Sequence, residues 1–252
     1  HGLAHIEKGD YQITWRHGSR LASVFDYHPR PLGLNERSNI YYVETSDRGQ
    51  TWRTISGEPL ALPLTEAKNP ALVLDSRAGK QLVYLKDLNF DADGRPVILY
   101  LNSSGYESGP KNGLRQWHTL RWTGRGWERR PFTTSDHNYD HGSLYIEPDG
   151  TWRIIGATEA GPQPWTTGGE MVLWVSRDQG AKWTKVKQLT RDSRFNHTYP
   201  RRPVDAHPDF FALWADGDPL EPSESRLYFT DREGTHVWRL PETMSGDFAK
   251  PE

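Results

Sequence analysis

Cysteine is absent from the 252 residues and methionine occurs only twice. Without a thiol the chain has no disulfide, no thiolate metal site and no cysteine nucleophile, a state compatible with a cytosolic or an exported protein. No run of eighteen apolar residues exists, which excludes a transmembrane helix and membrane insertion by that route. Charge of one sign is lacking too: 31 Lys and Arg stand against 33 Asp and Glu, a net charge of −2. There is accordingly no global basic field to gather nucleic acid or an anionic membrane surface. The opening HGLAHIEKGDYQITW has neither the basic start nor the apolar stretch of a signal peptide, so the chain reads as a processed product or an excerpt.

What is abundant is aromatic. Eleven Trp, eleven Tyr and eight Phe make up 12% of a chain that is only 35% hydrophobic, with a mean hydropathy of −0.82. That combination favours aromatic strands over leucine-rich helices, and no segment shows helical periodicity over a useful length. The expected class is all-β.

Two segments share the pattern S/T-x-D-x-G-x-x-W, the Asp-box: TSDRGQTW from Thr45 to Trp52 and SRDQGAKW from Ser176 to Trp183. In each, the Asp caps a tight turn, the Gly supplies a positive φ and the Trp packs beneath, so the motif staples an outer hairpin rather than doing chemistry. Weaker echoes occur at Arg121 to Arg130 and at Phe229 to Trp238. From Asp47 through Gly124 and Asp178 to Asp231 the steps are 77, 54 and 53 residues, close to the roughly 40–50 of a four-stranded propeller blade with one insertion. The expectation is a single β-propeller domain over residues 1–252, with antiparallel blades at about 8–56, 68–131, 140–190 and 196–241. Four blades make an incomplete part of a larger ring, such as a seven-bladed one. Within them, ALVLD at residues 71–75 is expected to open the second blade, with GWERRPF as an extra or closing strand. The turn FDADGRP around Asp91 and Asp93 reads as plain turn chemistry rather than a calcium loop.

A propeller leaves a polar funnel at its axis, and two clusters are candidates to line it. TTSDHNYDHGSLYIEPDG carries Asp136, His137, Asn138, Tyr139, Asp140 and His141 just before an expected inner strand. Turn chemistry explains such residues as well as ligand binding does, and histidines four apart suggest a metal only on a helix; no metal site is assigned. RFNHTYPRRPVDAHPD offers His197, Tyr199, Arg201, Arg202, Asp205 and His207 one blade later. Adjacent arginines among prolines suit a planar oxyanion, since a guanidinium fork binds two oxygens; pairing with Asp205 is the plainer alternative. His28, Lys86 and Asp87 are thinner candidates for the same funnel. Glu159 and the segment GPQPWTTGGE form an expected lid, on which Trp165 offers a sugar-stacking platform or a packed anchor.

On these motifs the chain resembles the BNR-repeat, or Asp-box, propeller superfamily, and within it the bacterial proteins related to propeller polysaccharide lyases that cleave ulvan; sialidases are more distant. The lyase resemblance implies a histidine in a DHN loop, matched by His137, and a tyrosine in a TYPR segment, matched by Tyr199. It also implies a second histidine about twenty residues after the first and an arginine about sixteen after the tyrosine, where this chain has Ala157 and Ala215. His141, Glu159, Arg201 or Arg202 are the neighbours that could substitute.

Three functions are compatible with these residues. The first is β-elimination on a uronate-containing polysaccharide, with His137, His141 and Tyr199 catalytic. Arg201, Arg202, His197, Asn138, Glu159 and Trp165 would bind the substrate, and no cofactor is needed. The second is glycoside hydrolysis by a carboxyl pair drawn from Asp136, Asp140, Glu159 and Asp205. The third is a non-catalytic propeller that binds glycan or protein. The partner expected in the first two is an acidic polysaccharide or oligosaccharide, not nucleic acid, and a polymeric substrate implies a secreted or periplasmic location. Oligomeric state is not legible.

Overall fold

The computed structural model describes residues 2–252, which divide into two compact units: the described residues up to Glu107 with Arg115–Pro131, and Ser108–Leu114 with Phe132–Glu252. Among the described residues there is no α-helix; two short 3-10 turns, Gly33–Glu36 and Pro110–Asn112, are the only helical elements. No helix is therefore long and apolar enough to cross a membrane.

In the first unit β1 (Gln12–His17), β2 (Arg20–Tyr27), β3 (Ser38–Thr45), β4 (Trp52–Arg53) and β5 (Pro59–Leu60) pair in chain order, and β6 (Leu72–Leu74) adds to β3. A second sheet joins β7 (Leu82–Phe90), β8 (Pro96–Ser103), β9 (Arg115–Trp122) and β10 (Trp127–Ser135). Alternation decides the packing. Ala22 and Val24 of β2 and Ile40 and Tyr42 of β3 meet Val83, Leu88, Ile98 and Tyr100 of the second sheet, while the intervening Phe25, Tyr41 and Val43 pack on Ile6, Leu64 and Ala71. Both faces of β3 are thus covered, which is why all eight of its residues are buried. Each large apolar side chain so enclosed contributes about 1.5–3 kcal/mol.

The second unit repeats the plan. β11 (Gly142–Ile146), β12 (Trp152–Glu159), β13 (Glu170–Ser176) and β14 (Thr184–Gln188) form one sheet; β15 (Asn196–Arg201), β16 (Ala212–Gly217), β17 (Leu227–Thr230) and β18 (Val237–Arg239) form the other. Tyr145, Ile155, Ala157, Met171 and Leu173 of the first interlock with Phe211, Ala212 and Trp214, and the Tyr145 and Phe211 rings stack at 4.2 Å.

Both Asp-boxes are hairpin staples between the third and fourth strands of a sheet. In the first, the Thr45 hydroxyl donates to Asp47 Oδ1 at 2.7 Å, the Gly49 N–H donates to Thr45 Oγ1 at 3.0 Å and the Thr51 N–H to Asp47 at 2.9 Å. Ser176, Asp178, Gly180 and Lys182 repeat these bonds at 2.8, 2.9 and 2.8 Å. Gly49 and Gly180 take φ of 85° and 80°, the left-handed backbone that glycine tolerates without cost. Asp91 caps its own turn through the N–H groups of Asp93 and Arg95 and pairs with Arg121 at 2.9 Å, so turn and ion pair use the carboxylate expected there.

One strand assignment differs from the sequence reading. ALVLD opens no second blade: β6 pairs with β3 of the first sheet, whereas GWERRPF leads into β10, the closing strand of the second sheet, as expected. The apolar pattern identified the strands correctly, but partner choice is set by which edge and faces are still uncovered: Ala71 and Leu72 close the Phe25 and Tyr41 side of the first sheet, while Val73 and Leu74 pack on the Ala22 and Val24 side.

Candidate active site

The second unit holds both polar clusters, and a bulge in β15 determines what they present. Thr198 pairs with Ala215 and Arg201 with Leu213, so three steps along β15 face two along β16. The extra residue falls at Tyr199-Pro200. Proline lacks an N–H for the ladder and is tolerated at a bulge, and Tyr199 takes a left-handed φ of 57°, a strain of about 1–3 kcal/mol for a non-glycine residue. Bulges re-aim side chains. In an unbroken strand His197 and Tyr199 would share a face; here His197 is 4% exposed and Tyr199 50%.

The turned-out phenol has two close neighbours. The His141 imidazole lies 4.2 Å from the Tyr199 ring, centroid to centroid, at 32°. The Arg201 guanidinium carbon sits 4.8 Å from the same ring. The two chain segments are tied where they meet: the Ser143 hydroxyl donates to the Pro200 carbonyl at 2.8 Å. Arg202 turns instead toward the Tyr145 ring, 6.0 Å away.

His137 is held inside its loop. Its Nδ1 accepts the Tyr139 N–H at 3.2 Å, which leaves the proton on Nε2 to reach the Ser108 hydroxyl at 2.9 Å; the ring is 4% exposed. Asn138 is fully buried. Asp140, 1% exposed, clasps two segments, accepting the His137 N–H on one oxygen and the Gly168 N–H on the other, both at 2.9 Å. Asp136 accepts the Trp165 N–H at 2.7 Å. The segment from Gly161 to Gly169 is therefore pinned to the DHNYDH loop, with the half-buried Trp165 at its turn. Gly168 is required there: at φ 85° it lies against the chain, and a Cβ would stand 2.5 Å from the His197 carbonyl oxygen.

His197 has both ring nitrogens engaged internally. The Trp214 indole N–H, which can only donate, gives to Nδ1 at 2.9 Å, so Nε2 carries the proton toward Ser193 Oγ at 3.0 Å, and Ser193 donates to Glu170 at 2.8 Å. Burial pushes its pKa down, against the opposing pull of Glu170 and Asp216. This ring anchors β15 rather than meeting solvent. Glu159, at the end of β12, pairs with Lys185 at 2.6 Å. Asp205 and His207 lie exposed beyond β15.

The thinner candidates lie in the first unit. His28 is buried with Nε2 3.2 Å from Asp26, and Lys86 is 3% exposed near the Tyr84 and Trp117 rings. Asp87 accepts the Leu88 N–H at 2.8 Å. Of the two positions at which the lyase resemblance asks for a histidine and an arginine, Ala157 is sealed in the core and Ala215 sits opposite Thr198 in the ladder. Neither can touch a ligand through a polar group. Among the described residues no three His, Asp or Glu side chains are grouped to hold a metal ion. Sequence reasoning did not find Ser108 or Ser193, and it named the segment GPQPWTTGGE without singling out its Thr167 and Glu170; these partners fix the two histidines and carry no motif.

Known proteins bear on this arrangement in three ways. Across 135 residues the chain is 27% identical to an ulvan lyase of Alteromonas sp. (strain LOR), a match covering 48% of this chain and 27% of that protein. Over 223 residues it is 24% identical to an ulvan lyase of Nonlabens ulvanivorans, covering 81% of this chain and 44% of that one. A solved structure of a PL25 ulvan lyase superposes with a TM-score of 0.71 at 21% identity over 89% of this chain and 52% of that chain. The chain thus spans about half or less of the length of these relatives. The structural likeness shows the fold, and the four sheets are blades of the β-propeller expected from the Asp-boxes. Residues 1–135 match the model of a BNR repeat-containing family, and with more than half of its length so matched, the chain belongs to that family.

Proposed function

We propose that this chain carries the acid–base site of a polysaccharide lyase that cleaves an acidic, uronate-containing polysaccharide by β-elimination. The observation that carries the reading is the Tyr199 phenol, turned out of β15 by a bulge and flanked by the His141 imidazole and the Arg201 guanidinium at 4.2 and 4.8 Å. The ulvan lyase relatives support the substrate class.

β-Elimination needs three things that these groups supply. The substrate carboxylate must be neutralised so that charge can develop on it as an enolate; Arg201, a permanent cation with a planar fork, does this, with Arg202 as its neighbour. The proton on the carbon beside the carboxylate must be taken, by Tyr199 as phenolate or by His141. The electron pair of that C–H bond then forms the ring double bond while the glycosidic C–O bond breaks. The departing oxygen collects a proton from the partner of the Tyr199 and His141 pair that still holds one. His137, Asn138 and Asp140 hold the loop that presents His141, and His197 anchors the strand that presents Tyr199. Trp165, on its pinned turn, offers a ring for a sugar to stack on. The polymer is too large to enter a cell, which argues for an exported protein.

Of the four acids in the hydrolase reading, Asp136 and Asp140 accept backbone N–H groups at 2.7–2.9 Å and Glu159 pairs with Lys185, which leaves Asp205, exposed beyond β15, as the one carboxylate outside these contacts; the elimination reading uses none of the four.

Incubation with ulvan and a panel of uronate polymers tests the proposal. Elimination yields unsaturated ends that absorb in the near ultraviolet, whereas hydrolysis yields reducing ends without that absorbance. Tyr199→Phe keeps the aromatic contact but removes the proton, and should lower turnover about 100-fold or more while leaving the melting temperature in place. Undiminished turnover in Tyr199→Phe refutes the assignment.

A further inference from the structure

The first unit has a pocket of its own. It encloses about 320 Å³ between Pro29, Glu36 and Ser38 on one side and Arg77, Lys80, Gln81 and Leu82 on the other. That volume is at the small end of ligand sites, suited to one sugar residue rather than a length of polymer.

The pocket is built, not incidental. Asn39, at a left-handed φ of 60°, donates its N–H to Ser76 Oγ at 2.8 Å and accepts the Arg77 N–H at 3.2 Å. The N–H groups of Gly79 and Gln81 return to the Ser76 carbonyl, and that of Lys80 to the Arg77 carbonyl, at 3.0–3.1 Å. This double turn fixes the backbone that carries both cations. Arg77 Nη1 donates to the Tyr27 hydroxyl at 2.9 Å, which sets the plane of its guanidinium.

The wall is rich in donors and short of acceptors. Neither Arg77 nor Lys80 is in an ion pair among the described residues. Gln81 spends its carbonyl oxygen on Asn102 at 2.7 Å, which leaves its NH2 group to donate. Ser38 is 2% exposed, and its hydroxyl has no hydrogen-bond partner, a costly state for a buried polar group unless an occupant of the pocket satisfies it. Glu36 is the one carboxylate on the wall; Pro29 and Leu82 are apolar. Two cations and two neutral donors around a small cavity complement an oxyanion attached to a ring.

We propose that this pocket is an anion subsite for a polysaccharide substituent. Arg77 and Lys80 take the oxygens of a sulfate ester or a carboxylate, Gln81 and Ser38 take sugar oxygens, and Pro29 and Leu82 pack on the ring. The inference goes beyond elimination at Tyr199: it concerns binding by different residues in the other unit, and is read without turnover.

Binding to the full chain is measured by titration calorimetry with three probes: a sulfated galactan oligosaccharide that lacks uronate, an oligogalacturonate that lacks sulfate, and a neutral oligosaccharide. The comparison is between the wild type, Arg77→Gln/Lys80→Gln and Lys80→Gln alone, the last because it leaves the Tyr27 contact intact. Each lost charge-assisted bond is expected to weaken binding about tenfold, giving about 100-fold for the double variant and 10-fold for the single one. The neutral probe should not distinguish them. Loss of affinity for the sulfated or the uronate probe supports the subsite and identifies which oxyanion it takes. Equal affinities in wild type and both variants, or no binding of either charged probe by the wild type, overturn it. Turnover on uronate polymers is followed separately in the same variants, so that turnover judges the lyase reading and probe affinity judges the subsite.

Discussion

Asp140→Asn is the sharpest test of how the proposed site is held. The carboxylate is 1% exposed and each oxygen accepts one backbone N–H at 2.9 Å, from His137 and from Gly168. The amide keeps one acceptor and puts an NH2 group where the other stood, so one buried N–H faces a second donor. A hydrogen bond to a charged group contributes about 1.5–3 kcal/mol, and leaving a buried donor unmet costs about 1–3 kcal/mol; a combined loss of about 2–4 kcal/mol follows, since the loop relaxes in part. Localised to the clasp between the DHNYDH loop and the segment ending at Gly169, that loss should make the Gly168 amide exchange with solvent about 30- to 1,000-fold faster. Amides of β8 in the first unit provide an internal reference. Turnover should fall along with it, because His141 is one residue from the clasp. If the Gly168 amide exchanges within about threefold of the wild-type rate, the carboxylate is not what pins the segment and the positioning argument fails.

Three further outcomes follow from the same geometry. His118, 3% exposed and stacked on Tyr100, has its pKa pushed down to about 4, first by burial and then by the Arg129 charge; the unfolded chain binds that proton near pH 6.5, so stability should fall by about 3 kcal/mol as pH drops from 6.5 to 4, and denaturant midpoints in His118→Gln should show a shallower slope. Gly168→Ala puts a Cβ 2.5 Å from the His197 carbonyl oxygen at φ 85° and should cost about 2–4 kcal/mol, read as a lower urea midpoint with unchanged m; a midpoint equal to wild type would refute the close approach. Deleting Pro200 restores one-to-one pairing of β15 with β16, so the sheet should survive by circular dichroism while Tyr199 leaves His141 and turnover is lost; retained turnover would show that the bulge does not aim the phenol.

How much of this was legible in the sequence depends on the range of each interaction. The Asp-boxes could be read because every bond in them joins residues at most four apart, so local chemistry alone dictates the turn. Strand identity followed from aromatic alternation for the same reason. Partner choice did not: residues 71–75 look like any buried strand, and only the open edge of β3 at Ile40 and Tyr41, with apolar clusters on both its faces, explains why β6 joins the first sheet. The two polar clusters were visible as composition, yet composition could not say which histidine in each faces outward. His137 and His141 differ in what lies across from them, Ser108 and Thr167 for one and Tyr199 for the other, and those partners are 29 to 58 residues away in the chain.

The β15 segment shows where a simple period-two rule misleads and what corrects it. In a regular strand His197, Tyr199 and Arg201 point the same way, which is the reason for placing all three at one site. A Tyr-Pro step within an otherwise β-like run is the signal that this register breaks, because proline cannot donate to a ladder and survives in a sheet at edges and bulges. Once the bulge is admitted, His197 goes inward to Trp214 and Ser193, and Tyr199 and Arg201 are left together on the open side. The strain of the left-handed tyrosine is then borne by bonds on both flanks: the Ser143 hydroxyl on the Pro200 carbonyl, and the His197 backbone, which exchanges both N–H···O bonds with Gly169 at 2.8 and 2.9 Å. The positions where the lyase resemblance asked for a histidine and an arginine are alanines locked into neighbouring strands, so in the proposed site the cation and the phenol both come from the one bulged strand, and what sets their separation is the two-residue stretch between Thr198 and Arg201.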